Sequence, residues 1–290
     1  MSEHILEIKD VTKRYRGDSA TGGFRREKKL SYGPFSFSRR ENPGEKVVLA
    51  GVNLILDVGD RLALVGASAA GKSTLVKMIF GLERPSSGEI FYRGTNLTYA
   101  AKNDVSARIL KEARLILQDP RSSFDPKMTV LASVAEPLTA FAGRREGRHR
   151  EYDKAEEAFK KVGLSRSLQN YYPHQLSGGQ LQRAAIARAI VSDPKLIVAD
   201  EMLSALDPPR QKEILDLFMD MFAEKSLIFI AHDLSAVKYL CNKIAVLSGG
   251  KIVEYGSLEE VMANPKDDYT KNLIRADVVF GRQSGVQVRK

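Results

Sequence analysis

Nine consecutive residues, Gly66-Ala67-Ser68-Ala69-Ala70-Gly71-Lys72-Ser73-Thr74, carry the spacing G-x-x-x-x-G-K-[ST]. Each residue type in that pattern answers a physical demand. Glycine lets the backbone turn tightly and bring its N–H groups onto phosphate oxygens. A helix that starts at the loop presents its N-terminus to the same anion. Lysine, here Lys72, supplies a point charge to the outer phosphates, and a hydroxyl, here Ser73, can ligate Mg²⁺. The candidate phosphate contacts are therefore Gly66, Ser68, Ala69, Ala70, Gly71, Lys72, Ser73 and Thr74.

Two further clusters could serve the same chemistry. Asp200-Glu201 ends the apolar run Leu196-Ile197-Val198-Ala199, and α/β sheets place ligands at the carboxyl ends of their strands. Asp200 can hold Mg²⁺ through water, and Glu201 can orient or deprotonate an attacking water. A helix cap or surface carboxylate pair is the plainer alternative. Leu176-Ser177-Gly178-Gly179-Gln180 places Ser177 and Gln180 at capping-box spacing ahead of a helix over about 181–191. Capping alone does not require both glycines, so this helix start is a second candidate anion site.

The elements that must position these groups can be read from the same chain. Arg61 to Val65 is an apolar strand entering the loop, and Leu75, Val76, Ile79 and Phe80 have helical spacing after it. Short strands are expected at Ile5 to Ile8, Val47 to Val58, Gly88 to Tyr92, Leu196 to Ala199 and Leu227 to Ala231. Gly249-Gly250 between Lys243–Leu247 and Lys251–Tyr255 reads as a hairpin. Asp207 with Pro208 starts a helix that runs to about Glu224. Residues from about 125 to 190 have helix signals and few strand signals. Residues 17–46, rich in Gly, Ser, Arg and Lys, read as a long loop. The fold class is α/β, a mainly parallel sheet with flanking helices and an inserted helical lobe.

Composition narrows the function classes. No apolar run approaches the ~20 residues that cross a bilayer. The first residues, Met-Ser-Glu-His, lack a signal peptide's basic region and apolar stretch, so a cytosolic location is expected. One cysteine, Cys241, excludes an internal disulfide and reads as a small buried hydrophobe. The formal charge of +9 raises nucleic acid or an anionic membrane as partners. The basic clusters Arg25-Arg26 with Lys28-Lys29, and Arg144-Arg145 with Arg148 and Arg150, have no aromatic platform. Solvated or membrane-facing charge is favoured, and no nucleic-acid partner is expected.

Taken in order, these elements resemble the ATP-binding subunits of ATP-binding cassette (ABC) transporters. The resemblance rests on Tyr15, the 66–74 loop, Gln118, Leu176–Gln180, Asp200-Glu201, Ser204-Ala205-Leu206-Asp207 and His232. It implies a P-loop NTPase (RecA-like) core with an antiparallel β subdomain and an inserted helical subdomain. Residues 1–118 and 194–262 would form the core, 119–193 the helical lobe and 263–290 a tail. It also implies ATP and Mg²⁺ as ligands and assigns roles by position. Tyr15 would stack on adenine, Gln118 would meet Mg²⁺ and the attacking water, and His232 would sit at the γ-phosphate. Ser177, Gly179 and Gln180 would contact ATP held by an opposing subunit, and Asp207 would lie across the dimer interface.

Gln118-Asp119-Pro120-Arg121-Ser122-Ser123-Phe124-Asp125-Pro126 and the tail Asn264 to Leu273 further resemble the oligopeptide/dipeptide/nickel uptake branch. That implies a second, distinct ATPase subunit, two transmembrane permease subunits and an extracytoplasmic substrate-binding protein. The place of action would be the cytoplasmic face of the membrane. Peptide is the leading cargo, with nickel chelate and oligosaccharide as alternatives. A soluble ABC-type ATPase acting on nucleic acid is the rival from another class. Ala69 stands where the branch usually has glycine, and Met202-Leu203 stand where a Pro-Thr pair is common. A variable solvated helix is the plainer reading of the tail.

Overall fold

The computed structural model describes residues 4–16, 45–98, 109, 111–140, 148–203, 207–231 and 233–280. Most of the expected 17–46 loop, the basic residues 25–29, 144 and 145, Ser204-Ala205-Leu206 and His232 lie outside them.

The chain opens with two long antiparallel strands, β1 (His4–Arg16) and β2 (Glu45–Asp57). β3 (Arg61–Gly66) leads into the phosphate loop and α1 (Lys72–Ile79). β4 (Ser87–Tyr92) pairs with β1, and the two-residue β5 (Thr95–Asn96) pairs with β4. These strands form a four-stranded antiparallel sheet in the order β2-β1-β4-β5.

β6 (Ala113–Ile116) comes next, then a helical lobe of α2 (Val130–Thr139), α3 (Arg148–Lys161) and α4 (Gly178–Ile190). β7 (Leu196–Asp200), α5 (Pro208–Phe222), β8 (Ser226–Ile230), α6 (Leu234–Leu240), β9 (Lys243–Ser248) and β10 (Lys251–Ser257) follow. The second sheet runs β10-β9-β3-β8-β7-β6 and is parallel except for the β9–β10 hairpin. α7 (Leu258–Ala263) and α8 (Asp268–Phe280) close the described chain.

The central strands read as apolar runs because both faces of the sheet are covered. Every residue of β8 is buried, as are the first four of β7. Alternate residues serve different cores, as the two-residue period of a strand requires. Ala63, Val65, Ile197, Ala199, Leu227 and Phe229 face the core shared with the helical lobe, α5 and α6. Leu62, Leu64, Leu196, Val198, Ile228 and Ile230 face α1 and the small sheet. Each such Leu, Ile or Phe contributes about 1.5–3 kcal/mol by leaving water.

Several expectations change in detail. β1 extends from His4 to Arg16 rather than stopping at Ile8, and β2 begins at Glu45, inside the stretch read as loop. β6 was not anticipated. The tail is not a solvated helix: Thr270 is fully buried, and Tyr269, Leu273 and Ile274 pack on the main core. Its anchor is Glu254 of β10, whose carboxylate accepts from the Lys266 and Asp267 N–H groups at 2.9 and 3.1 Å. Among the described residues, no helix is long and apolar enough to cross a membrane.

Candidate functional site

Register brings the separated motifs to one edge of the large sheet. Leu64 of β3 pairs with Ile230 of β8, Ile230 with Asp200 of β7, and Ala199 of β7 with Ile116 of β6. Gly66, Asp200-Glu201, Ala231 and, two residues past β6, Gln118 therefore all leave the sheet at its carboxyl edge, where such folds bind ligands.

The phosphate loop is wedged between strands of both sheets. A Cβ on Gly66 would lie 2.2 Å from the Leu247 carbonyl oxygen of β9. A Cβ on Gly71 would lie 2.5 Å from Leu49 Cδ2 and 3.1 Å from the Val48 carbonyl oxygen of β2. Gly71 is also the N-cap of α1, with φ 109°. Having no side chain there, it leaves the first-turn N–H groups to an anion. Within the loop the Ala70 N–H closes a turn onto the Ala67 carbonyl at 3.1 Å. Ala69, exposed, holds φ 64° in the left-handed region.

Lys72 is buried, and its ammonium donates to the carbonyls of Gly66 at 2.8 Å and Ala67 at 3.1 Å. Burial draws its pKa below the ordinary lysine value, while Glu201 and Asp200 oppose that shift. This electrostatic coupling ties the loop lysine to both carboxylates at the end of β7. Glu201 itself is held at φ 45°, with its N–H donating to the Ile230 carbonyl at 3.0 Å. Backbone strain of this kind concentrates at functional sites. Glu201 lines a cavity of about 100 Å³ with Leu203, Gln211, Ala231 and Asp233. Ser73 is exposed at the start of α1, and Gln118 is exposed beyond β6.

Ser73, Gln118 and Asp200 offer only oxygen and amide donors. Such a donor set suits Mg²⁺, which takes one or two protein oxygens and completes its shell with water and phosphate.

Tyr15, near the end of β1, reaches the same helix. Its hydroxyl bonds to the Glu83 carboxylate and contacts the Thr74 side chain. Lys13 sits over its ring, 5.0 Å from the centroid. Burial, and then Glu83, raise the phenol's pKa. Sequence reasoning missed Glu83 and Lys13, since 68 residues separate Glu83 from Tyr15 and no motif joins them.

Ser177 and Gln180 form the expected capping box. The Gln180 N–H donates to Ser177 Oγ at 3.3 Å, and the Ser177 N–H to Gln180 Oε1 at 2.9 Å. The Gln180 side chain thus folds back on its own helix start. Ser177, Gly179 and Gln180 line a separate open cleft of about 340 Å³, with Arg183, Arg210 and Glu213. None of the residues lining that cleft comes from the phosphate loop. A Cβ on Gly178 or Gly179 would meet nothing within 4 Å. Asp207 is exposed and caps α5, accepting from the Arg210 N–H at 3.2 Å.

The chain is similar to known proteins in both sequence and fold. Residues 49–204 match the family model described as ABC transporter. The chain is 40% identical over 228 residues to the oligopeptide transport ATP-binding protein OppF of Salmonella typhimurium, covering 78% of this chain and 68% of that one. It is 34% identical over 294 residues to OppF of Streptococcus pyogenes serotype M1, covering 99% and 88%. It is 37% identical over 238 residues to the dipeptide transport ATP-binding protein DppF of Haemophilus influenzae, covering 81% and 71%. Among solved structures, the ATP-binding cassette MJ0796, in a dimeric post-hydrolysis state with ADP and Pi, superposes with a TM-score of 0.71. It is 25% identical, and the match covers 87% of this chain and 98% of that one. The chain belongs to the ABC transporter family, as an ATP-binding and ATP-hydrolysing cassette.

Proposed function

We propose that this chain energises a multi-subunit importer of peptides by binding and hydrolysing ATP with a second cassette. The observation that carries the chemistry is the convergence of the Gly66–Thr74 loop, with its buried Lys72, and Asp200-Glu201 at the carboxyl edge of the sheet. The loop N–H groups and Lys72 grip the phosphates, and Ser73, Asp200 and Gln118 hold Mg²⁺. When bound, that ion neutralises charge on the transferring phosphoryl group. Glu201 polarises the attacking water, assisted by Gln118 and His232. Tyr15 stacks on the base.

The bare helix start at Ser177 supports a two-chain site. Glycine in place of alanine costs a helix up to about 1 kcal/mol per residue, and no neighbour among the described residues requires it at 178 or 179. An opposing subunit's ATP, approaching the α4 N-terminus, supplies the requirement. Ser177, Gly179 and Gln180 then meet that nucleotide, and Asp207 lies across the interface.

We assign 1–118 with 194–262 to the nucleotide-binding core, 119–193 to the lobe that passes motion to two membrane permeases, and 263–290 to a tail. The work is done peripherally, on the cytoplasmic face. The names of the relatives favour peptide over metal chelate or oligosaccharide as cargo, delivered by an extracytoplasmic binding protein. A distinct paralogue as the second cassette is part of this reading.

The test is Glu201→Gln in the assembled complex. Hydrolysis should fall by about 10²–10⁴-fold while ATP binding persists. Turnover at the wild-type rate would remove Glu201 from the water-activating role.

A further inference from the structure

We propose that Glu83 is a positioning residue that fixes the Tyr15 ring as a one-sided platform for the base of the bound nucleotide. The proposal rests on the reading of Tyr15 as the stacking residue and adds what holds it in place.

Glu83 lies in the turn after α1, where the Leu82 and Glu83 N–H groups bond the Lys77 carbonyl at 2.8 and 3.2 Å. Its carboxylate accepts from the Tyr15 hydroxyl and pairs with Lys13 at 3.4 Å and Lys77 at 3.6 Å. Lys13 is fixed in turn by the Arg84 carbonyl at 2.7 Å. Its ammonium therefore sits over one face of the Tyr15 ring, so stacking is left to the other face. With Thr74 at the same hydroxyl, the ring is tied to the first turn of the helix that carries Lys72 and Ser73.

The arrangement has two physical effects. A ring held at its hydroxyl loses less rotational freedom when a base docks, so more of the stacking energy appears as affinity. The two lysines also neutralise a carboxylate that would otherwise repel the incoming triphosphate. Stacking reads a π-face rather than base edges, so the platform should serve adenine and guanine alike.

The experiment is titration calorimetry on the full chain with ATP, GTP and inorganic tripolyphosphate, the last having no base. Tyr15→Ala should weaken both nucleotides by about tenfold. Glu83→Ala and Tyr15→Phe should each weaken both by ~3–5-fold, the share owed to pre-organisation, with tripolyphosphate affected less than about twofold. Glu83→Gln should recover most of the loss, because the amide oxygen still accepts from the Tyr15 hydroxyl. If Tyr15→Ala binds ATP like wild type, the stacking reading falls and this proposal with it. If Tyr15→Ala weakens binding but Glu83→Ala and Tyr15→Phe do not, stacking stands and the role of Glu83 is overturned. An equal loss for tripolyphosphate in Glu83→Ala would also overturn it, by showing general damage to the phosphate loop.

Discussion

Ala69→Gly should make the protein more stable and its grip on nucleotide weaker. Ala69 is held at φ 64° and its methyl group is exposed, so removing the methyl sacrifices little burial. An L-residue in the left-handed region costs about 1–2 kcal/mol, which glycine avoids. Glycine loses more chain entropy on folding, which returns about 0.4–1 kcal/mol. The balance is a stabilisation of about 0.5–1 kcal/mol, or a rise in Tm of ~1–3 °C for a chain of this size. The same freedom leaves the unliganded loop less ordered, so ATP should bind about 2–3-fold more weakly. Thermal and urea unfolding give the first quantity and nucleotide titration the second. A fall in Tm would refute the strain argument. Tighter ATP binding would refute the pre-organisation argument even if the stability gain appeared.

Other outcomes follow from single contacts. Gly179→Ala should leave the isolated chain as stable as wild type or up to about 1 kcal/mol more stable, yet lower ATPase activity in the assembled complex; parallel urea melts and turnover assays separate the two. Burial tends to raise the Glu254 carboxyl pKa, but hydrogen bonds from the Lys266 and Asp267 N–H groups act against it, and the net shift is downward. A depressed carboxyl contributes stability above its unfolded pKa and loses it as pH falls through the folded value. Amide exchange in α8 should therefore speed up as the solution is acidified below the ordinary carboxylate range, and Glu254→Gln should flatten that dependence. Burial pushes the Cys241 thiol up to about 12, so a thiol reagent at neutral pH should label it only after unfolding.

The sequence was legible wherever local chemistry dictated geometry. The capping box at Ser177, the cap at Asp207 ahead of Pro208 and the glycine hairpin at 249–250 each need only nearby residues, and each appears as expected. β1 was underestimated because its alternation is broken. Its pairing with β2 shifts register between Ile8 and Val11, between Val11 and Lys13, and between Lys13 and Arg14, and Asp10 takes φ 47°. Each bulge moves the next side chain to the other face and scrambles the two-residue period. β6 was hidden by length and by Arg114, which lies in a four-residue strand that, among the described residues, pairs with β7 alone. Glu83 reaches Tyr15 through a contact that forms only once β1 and the turn after α1 fold together.

The glycines of the phosphate loop and of the α4 start differ in what enforces them. At 66 and 71 any side chain collides with Leu247, Leu49 or the Val48 backbone, whereas at 178 and 179 it would point into open space. A saturation library sorted twice would separate them. Selected for cellular abundance of the folded chain, it should be depleted of variants at 66 and 71 but retain those at 178 and 179. Selected for growth on imported nutrient, it should lose both sets. The first pair answers to this chain's own architecture. On the proposed two-chain reading the second answers to another molecule, and it would drift freely in any descendant that stopped assembling with a partner.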